Sequence, residues 1–460
     1  MTSQVVVVGG GIAGLAAAHE LGRAGTRVTV IDAAAAVGGK LRVSDVGGVA
    51  VDEGAEAFLR RRPEALALVA ELGLSDELVT PQTLAASVWA RGRLRPMPAG
   101  TVMGVPSNPA GLRGVLSAME VARARADSWL PGVPPEVDVS VGGWVAQRLG
   151  RAVVDRLVDP MLGGVYAGRA DELSLAATLP QLPRDERSAL RAARRAIAAA
   201  PSADEPVFAT LRGGMGALPT ALERSITAQG NEIVTARAAR RLERTATGWR
   251  VVHGPTTDER VVDADAVVIA VPPAAAARLL AAVSPAAAAE LGSIASASMA
   301  IVTTAWRAAD ATATAPGSGY LVPAVYRRPV KAVTLSSSKW GHLNGGVAIA
   351  RCSIGRYGDI TDLQRDDDDL IASATSELTT YAGFVGAPID ARVSRWGGAL
   401  PQYAVGHRER VDRIRAAVDV VPGLAVCGAA YEGVGIPACI ATARQAVERV
   451  RGYLMSRETQ

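Results

Sequence analysis

The sequence lacks the long apolar runs and biased tracts that mark several large classes of protein. None of its apolar runs reaches about 18 residues, so the sequence predicts no transmembrane helix. Hydrophobic residues make up 49% and charged residues 20% of the 460 positions, which excludes a disordered or collagen-like chain. No basic and apolar leader precedes the first predicted strand, and we therefore expect no secretory signal.

Cysteine, histidine and phenylalanine are scarce. The three cysteines, Cys352, Cys427 and Cys439, lack metal-site spacing and predict buried thiols in a reducing compartment. The four histidines are far apart in sequence, so we expect no metal site. Three phenylalanines and a formal net charge of only +4 argue against a nucleic-acid partner. The mild positive bias is compatible with an anionic ligand or a membrane surface.

A strand, a glycine turn and a helix open the chain. Val5–Val8 is a continuous apolar run, typical of a strand covered on both faces. The pattern G-x-G-x-x-G follows over Gly9–Gly14, and an Ala- and Leu-rich stretch then predicts a helix. These glycines permit a tight turn, close approach of a pyrophosphate and tight helix–strand packing, while the helix N-terminus offers free amides. Asp32 follows the second apolar run, where it can accept from ribose hydroxyls. Dinucleotide binding is therefore predicted over a purely structural turn.

Further glycine turns favour FAD over NAD. Gly38-Gly39-Lys40 lies six residues beyond Asp32, and Gly54 follows a further predicted strand. The run Gly428–Pro437 opens a C-terminal helix, whose N-terminus could stabilise negative charge on a reduced flavin. Separate turns that serve one long ligand indicate FAD.

The rest of the sequence divides into a helical part and a strand-rich part. Pro106–Ala200 is Ala-rich and helical, and Arg184–Pro206 predicts an exposed arm or a mobile loop. Sequence patterns typical of β-strands prevail over Ala300–Ile354. Because both chain ends carry nucleotide-binding patterns, we predict an α/β nucleotide-binding domain that is interrupted by inserted segments.

Four segments carry a resemblance to a known family. These are Pro96–Pro106, the G-V-Y-A-G element within Gly163–Gly168, Trp396 with Leu400–His407, and Gly428–Pro437. With them the sequence resembles, over nearly its whole length, the FAD-dependent porphyrinogen oxidases of the amine-oxidase superfamily. Within that group it is similar to the Gram-positive-type coproporphyrinogen III oxidase family.

The resemblance implies a Rossmann-like FAD-binding domain, an inserted mixed-sheet substrate domain and a helical domain that could face a membrane. We assign residues 1–80, 205–275 and 405–460 to the FAD-binding domain. The substrate domain then takes residues 81–105 and 276–404, and the helical domain takes residues 106–204.

The resemblance also implies a set of cofactor contacts. Asp32 stands where Glu is commoner, and Ala239 where Val is usual, and both departures are tolerable for an FAD site. The implied FAD contacts are Gly9, Gly10, Gly11, Ile12, Ala13, Gly14, Asp32, Ala33, Gly39, Lys40, Gly54, Ala55, Glu56, Ala57, Ala239, Trp396, Val434, Gly435 and Ile436.

The implied reaction is the six-electron oxidation of coproporphyrinogen III to coproporphyrin III in haem biosynthesis. It takes three two-electron steps with hydride transfer to the flavin, which dioxygen reoxidises to give hydrogen peroxide. The cofactor carries this chemistry, so no catalytic side chain is nominated. We expect a cytoplasmic protein, with peripheral membrane contact and haem-pathway partner enzymes left open. The alternatives are a protoporphyrinogen IX oxidase, an amine oxidase or desaturase, and a catalytically silent FAD protein.

The substrate's propionates call for basic side chains. Arg60, Arg61 and Arg62 lie just after the Gly54 turn, and we predict that at least one of them binds propionate. The alternative is a solvated helix start. Tyr166 in the G-V-Y-A-G element is predicted to line the substrate cavity, against the alternative of a structural turn.

Overall fold

A computed structural model describes residues 3–135, 137–200, 206–311, 317–343 and 345–458. Strands are distributed over the whole chain. In chain order they are β1 (Gln4–Val8), β2 (Arg27–Ile31), β3 (Val43–Val46), β4 (Val49–Asp52), β5 (Phe58–Leu59), β6 (Leu78–Val79), β7 (Ala86–Ala90), β8 (Arg93–Pro96), β9 (Thr101–Val102), β10 (Val105–Pro106), β11 (Phe208–Leu211), β12 (Glu232–Val234), β13 (Ala239–Arg244), β14 (Trp249–His253), β15 (Arg260–Ala264), β16 (Ala266–Ile269), β17 (Ser296–Arg307), β18 (Gly319–Leu321), β19 (Val330–Leu335), β20 (Val347–Ile354), β21 (Asp390–Pro401) and β22 (Leu424–Val426).

Helices alternate with the strands and are concentrated between β10 and β11. In chain order they are α1 (Ile12–Arg23), α2 (Pro63–Glu71), α3 (Ala118–Arg125), α4 (Val141–Leu149), α5 (Arg151–Val153), α6 (Asp159–Tyr166), α7 (Leu175–Thr178), α8 (Ala189–Ala198), α9 (Ala217–Ala228), α10 (Pro273–Leu280), α11 (Pro285–Gly292), α12 (Ser336–Lys339), α13 (Asp367–Glu377), α14 (His407–Asp419) and α15 (Ile436–Glu458). A π-helical segment, Val154–Val158, joins α5 to α6.

A parallel sheet with the order β12-β2-β1-β16-β22 forms the nucleotide-binding part. Val5 and Val7 of β1 belong to one core cluster, while Val6 and Val8 belong to another on the opposite face. Burial on both faces explains why the strand is continuously apolar. Strands β1 and β22 share this sheet, so both chain ends build one unit, as the sequence predicts for the nucleotide-binding domain.

A second, mixed sheet has the order β21-β17-β20-β19-β18-β7-β8. Its neighbours pair antiparallel except β18 and β7, which are parallel. Helix α13 packs on one face around Trp306 and Leu370, and α6 contacts β18 and β19. The mixed α/β class is as predicted, whereas the exact domain boundaries stay a prediction, and residue 205 lies outside the described residues.

The helices α3–α8 form a third core around Trp144 and Leu157. This confirms the helical character of residues 106–200. The prediction of an exposed arm over Arg184–Pro206 is wrong for residues 189–198, which form α8. Ala189, Leu190 and Ala193 are buried there because α8 is amphipathic and its arginines occupy the outer face. Residues 201–205 lie outside the described residues.

Candidate functional site

The first glycine turn has three glycines with different structural roles. Gly9 has a φ of 113°, and a Cβ atom there would lie 2.6 Å from the carbonyl oxygen of Ala270. A Cβ on Gly14 would lie 1.8 Å from the carbonyl oxygen of Gly9. A Cβ on Gly11, in contrast, would meet no atom within 4 Å. The protein itself requires two of the glycines, and Gly11 borders open space at the N-terminus of α1, where a pyrophosphate fits.

Asp32 lies at the carboxyl end of β2, as the sequence predicts for a ribose-binding acid. Its carboxylate accepts hydrogen bonds from the backbone N–H of Gly10 and, at 2.7 Å, from that of Ala34. Its own N–H donates to the carbonyl of Val234 over 2.9 Å. These bonds fix the side chain beside the first turn. Each carboxylate oxygen retains a second lone pair with which it can accept from a ribose hydroxyl.

Ala33 and Ala239 are both among the FAD contacts that the resemblance implies. Ala33 is exposed next to Asp32. The N–H of Arg237 donates to the carbonyl of Asp32 over 2.9 Å, which brings the start of β13 at Ala239 to the same sheet edge. Since neither alanine has a polar side chain, contact with a nucleotide would use the backbone.

The second glycine turn packs directly on the first. The N–H of Gly38 donates to the carbonyl of Gly10 over 2.7 Å. A Cβ on Gly39 would lie 3.2 Å from the Cα of Gly11. Lys40 follows, half-buried, and among the described residues its ammonium has no ion pair. Burial lowers the pKa of Lys40. The two turns therefore form one backbone cradle with an uncompensated positive charge beside it.

The third turn, at Gly54, closes on this cradle. A Cβ on Gly54 would lie 2.2 Å from the carbonyl oxygen of Lys40 and 3.2 Å from Cζ2 of Trp396. The indole N–H of Trp396 donates to the carbonyl of Glu53 over 3.1 Å. The structure thus brings Lys40 and Gly54 together with Trp396, which is more than 300 residues away in sequence.

Glu56 departs from a simple cofactor-contact role. Its carboxylate lies 2.5 Å from Lys339 Nζ and 2.7 Å from Arg351 Nη1. These two cations hold the pKa of Glu56 at about 2 despite its burial. The side chain is committed to protein partners, so Glu56, like its neighbours Ala55 and Ala57, offers a cofactor only its backbone. The sequence analysis missed both basic partners.

The C-terminal glycine run lies against the start of α1. A Cβ on Gly428 would lie 4.0 Å from Cβ of Ala13. Helix α15 begins at Ile436, which is buried in the same core cluster as Ala13. Gly435 before it is exposed, and Val434 packs against the helical core. The N-termini of α1 and α15 therefore serve the same region, as two positive dipole ends.

Tyr166 connects the helical part to this region. It is buried, its ring centroid is 5.6 Å from that of Tyr403, and its carbonyl accepts from Gln402 Nε2 over 2.8 Å. The hydroxyl of Tyr403 donates to the carbonyl of Ala429 over 2.6 Å. Burial raises the pKa of Tyr166 to about 12, so its hydroxyl is neutral. The G-V-Y-A-G element is thereby linked to the C-terminal glycine run.

The three predicted propionate-binding arginines have different surroundings. Arg62 lies 2.8 Å from the carboxylate of Glu64, and Arg61 is exposed. Arg60 is half-buried, its N–H donates to the carbonyl of Val207, and its guanidinium has no partner among the described residues. Of the three, Arg60 is the most available to a buried anionic ligand.

Comparison with known proteins identifies the family of this fold and site. Residues 12–451 match the family described as flavin containing amine oxidoreductase. The chain belongs to this family. It is 40% identical over 456 residues, 96% of each chain, to a coproporphyrinogen III oxidase of Mycobacterium bovis. It is also 31% identical, over 98% of each chain, to a coproporphyrinogen III oxidase of Bacillus subtilis.

A solved structure shares the whole architecture. The crystal structure from Exiguobacterium that bears the name protoporphyrinogen oxidase superposes with a TM-score of 0.85 at 28% identity, and covers 97% of this chain and 98% of that one. FAD is the cofactor of this flavoprotein family, and the open space at Gly11, the stacked turns and the two helix N-termini fit such a dinucleotide.

Two properties bear on other ligands and partners. Among the described residues no helix has both the length and the apolarity to cross a bilayer. In the same part of the chain, no three His, Cys, Asp or Glu side chains are grouped so that they could hold a metal ion. All three cysteines are buried and free, which confirms the prediction of buried thiols.

Proposed function

We propose that this chain oxidises coproporphyrinogen III to coproporphyrin III. Three molecules of dioxygen accept the six electrons and six protons and leave as three molecules of hydrogen peroxide. The observation that carries this proposal is the 40% identity over 96% of the chain to a protein named for the same reaction. The backbone cradle and its link to Tyr166 support it, because they join the predicted cofactor site to the element that we expect to line the substrate cavity.

Bound FAD supplies the two-electron acceptor at each step. The protein's part is to hold that group and to orient the substrate. The amides at the start of α1 would hold the pyrophosphate of that group. The start of α15 and the unpaired ammonium of Lys40 would favour the negative charge of its reduced form. Tyr166, neutral with a pKa of about 12, is unsuited to be a base. We therefore nominate no side chain as a general base for the pyrrole protons.

Arg60 is our first choice for a propionate partner. Its half-buried guanidinium lacks a partner among the described residues and lies four residues from the Glu56 turn. A guanidinium matches a carboxylate with two parallel hydrogen bonds. Arg62 is already paired with Glu64, so it would have to exchange partners to bind the substrate.

The experiment that tests the function is aerobic turnover of purified, FAD-loaded protein on coproporphyrinogen III and protoporphyrinogen IX side by side. Porphyrin fluorescence and hydrogen peroxide are recorded together. We expect a higher kcat/KM for the four-propionate substrate and one peroxide for every two electrons. A preference for the two-propionate substrate would favour the alternative, a protoporphyrinogen oxidase, which the name of the Exiguobacterium relative also suggests.

We propose that the protein is cytoplasmic and attaches peripherally to the inner face of the membrane. Met119, Trp129, Val133 and Val137 are each more than 70% exposed within one short stretch of the helical part, and Arg125 is exposed beside them. Such an apolar surface with a cation suits an anionic lipid surface. Co-sedimentation with anionic vesicles should fall in Trp129→Ser, and binding that this change leaves intact would exclude this surface.

Peripheral attachment would also keep the product near the next enzymes of the haem pathway, which we propose as partners. A pull-down with an enzyme that inserts iron into coproporphyrin tests this. Recovery no greater than with an unrelated protein would contradict the proposal.

A further inference from the structure

Lys331 is a buried cation without a partner. The chain has only three lysines, Lys40, Lys331 and Lys339. Lys331 is 5% exposed, and its Nζ has no hydrogen-bond partner among the described residues. Burial, with the positive charge of Arg356, lowers the pKa of Lys331 to about 7. Burying an ammonium without an anion or acceptor is costly, so a stable fold that keeps one calls for a functional explanation.

Lys331 lies in β19, at an irregular point of the seven-stranded mixed sheet. The register of β19 against β20 shifts between Val330 and Ala332, which places Lys331 in a β-bulge. The N–H of Val322 donates to the carbonyl of Lys331 over 2.8 Å. Bulges often redirect a side chain next to a binding site.

A second cation lies at the same place and also has no carboxylate partner. Arg356 donates to the carbonyls of Val322 and Arg328 over 3.1 and 3.2 Å. Asp159, Asp359 and Asp362 act on Arg356 electrostatically, yet no carboxylate of the described residues forms an ion pair with Arg356 or Lys331. Two basic side chains without an ion-pair partner therefore share one partly buried region.

This region adjoins the G-V-Y-A-G element. The N–H of Tyr357, next to Arg356, donates to the carbonyl of Ala167 over 2.6 Å, and Arg169 Nε donates to the carbonyl of Tyr357 over 3.0 Å. Helix α6, which ends at Tyr166, packs against β19. The two cations therefore lie beside the element that we expect to line the substrate cavity.

We propose that Lys331, with Arg356 beside it, binds one carboxylate of the porphyrinogen. The inference rests on the proposed function and adds a second carboxylate site to the one assigned to Arg60. A propionate would supply the missing counterion and accept a charge-assisted hydrogen bond from the ammonium. The flexible four-carbon stem of Lys331 lets Nζ turn toward an arriving carboxylate.

The test compares Lys331→Met with Lys331→Arg, and measures binding of coproporphyrin III and of its tetramethyl ester by fluorescence titration. The variant Lys331→Met loses one charged hydrogen bond to the ligand. It should therefore bind coproporphyrin III, the tetra-acid, about 10- to 100-fold more weakly than the wild type does. The ester should bind equally to both variants and to the wild type, and Lys331→Arg should recover most of the affinity. FAD content should be unchanged, and the Tm of Lys331→Met should equal or exceed that of the wild type, because an unpaired buried charge is removed.

Arg27→Met is the matched control, since it removes an exposed cation at the amino end of β2, away from the cradle. Equal losses for acid and ester, or no loss for either, would overturn the Lys331 site. The proposed function is judged separately, by wild-type turnover. If the wild type turns over and Lys331→Met binds coproporphyrin III unchanged, only the Lys331 site is rejected. Absent turnover rejects the function, while a selective loss of tetra-acid binding would still support a carboxylate site.

Discussion

Arg351 Nη1 lies 2.7 Å from Glu56 Oε2, and Nη2 of the same guanidinium lies 2.6 Å from the carbonyl oxygen of Gly54. One side chain of the seven-stranded mixed sheet therefore holds both the backbone and the carboxylate of the third glycine turn. Lys339 completes the arrangement from the other side of Glu56. The position of the turn thus depends on how the seven-stranded mixed sheet packs against it.

Breaking the contact between Arg351 and Glu56 should destabilise the third glycine turn. We expect Glu56→Gln to lower stability by about 3–5 kcal/mol, because it leaves two largely buried cations, Lys339 and Arg351, without their anion. Arg351→Met should cost less, because Glu56 keeps its ion pair with Lys339. FAD affinity should fall as well, since Gly54 loses the bond that fixes its carbonyl in Arg351→Met. Thermal unfolding and FAD titration measure the two effects.

The double variant Glu56→Gln/Arg351→Met is the control for this contact. The Glu56–Arg351 pair is already broken in each single variant, and in the double variant only Lys339 is left without its anion. The double variant should therefore be less destabilised than the sum of the two single variants. Simple additivity of the two losses would mean that the ion pair does not couple the sheet to the turn.

The first glycine turn allows binding to be separated from folding. A Cβ at Gly11 meets no protein atom, so Gly11→Val should fold but lose FAD, because its side chain fills the space of the pyrophosphate. Gly14→Ala should instead destabilise the protein, since its Cβ would collide with the carbonyl of Gly9. The measurements are flavin content after purification and the Tm of the apoprotein. Normal flavin occupancy in Gly11→Val would contradict the assigned position of the cofactor.

Arg60 should contribute more to substrate binding than its two neighbours. For Arg60→Met we expect KM for coproporphyrinogen III to rise about 10- to 100-fold, as for the loss of a charged hydrogen bond, with a smaller rise for the two-propionate substrate. Arg61→Met should change neither, because Arg61 is exposed. Steady-state kinetics on both substrates decide this. Equal KM changes for the two substrates would remove Arg60 from the propionate site.

Short-range patterns in the sequence predicted most of the nucleotide-binding part. Gly9, Gly14 and Asp32 could be assigned because strand, turn and acid follow one another within one βαβ unit, and the structure has them at the expected sheet edge. The contact between Glu56 and Arg351 joins residues 295 positions apart. No local periodicity reports such a pairing, since docking of a separate sheet creates it.

The sequence analysis misjudged charged segments for a related reason. The arginines of α8 suggested a solvated arm, yet Leu190 and Ala193 between them are buried against the helical core. The prediction that at least one of Arg60, Arg61 and Arg62 binds propionate stays a prediction, and the structure adds that the three differ in partner and exposure. The one signal that could have revealed the second cation cluster was the rarity of lysine, which leaves Lys331 conspicuous in an apolar strand.

Asp52 gives the fold a distinctive pH dependence. It is buried and accepts from the N–H of Met215 over 2.8 Å, and burial raises its pKa to about 7 from an ordinary value near 3.8. Between about pH 4 and pH 7 the unfolded chain has released this proton while the folded chain keeps it. Stability should therefore fall as the pH rises through that window, by about 4 kcal/mol in total.

Asp52→Asn tests this assignment. An amide oxygen can still accept from Met215 but carries no charge, so the variant should match the wild type near pH 4 and exceed its Tm at pH 8. Glu56 acts in a different window, because its pKa of about 2 makes it lose stabilising charge only as the pH falls below about 4.5. Thermal unfolding at pH 5 and pH 8 separates the two groups. A Tm for Asp52→Asn below that of the wild type at pH 8 would show that the ionised carboxylate stabilises the fold, contrary to this argument.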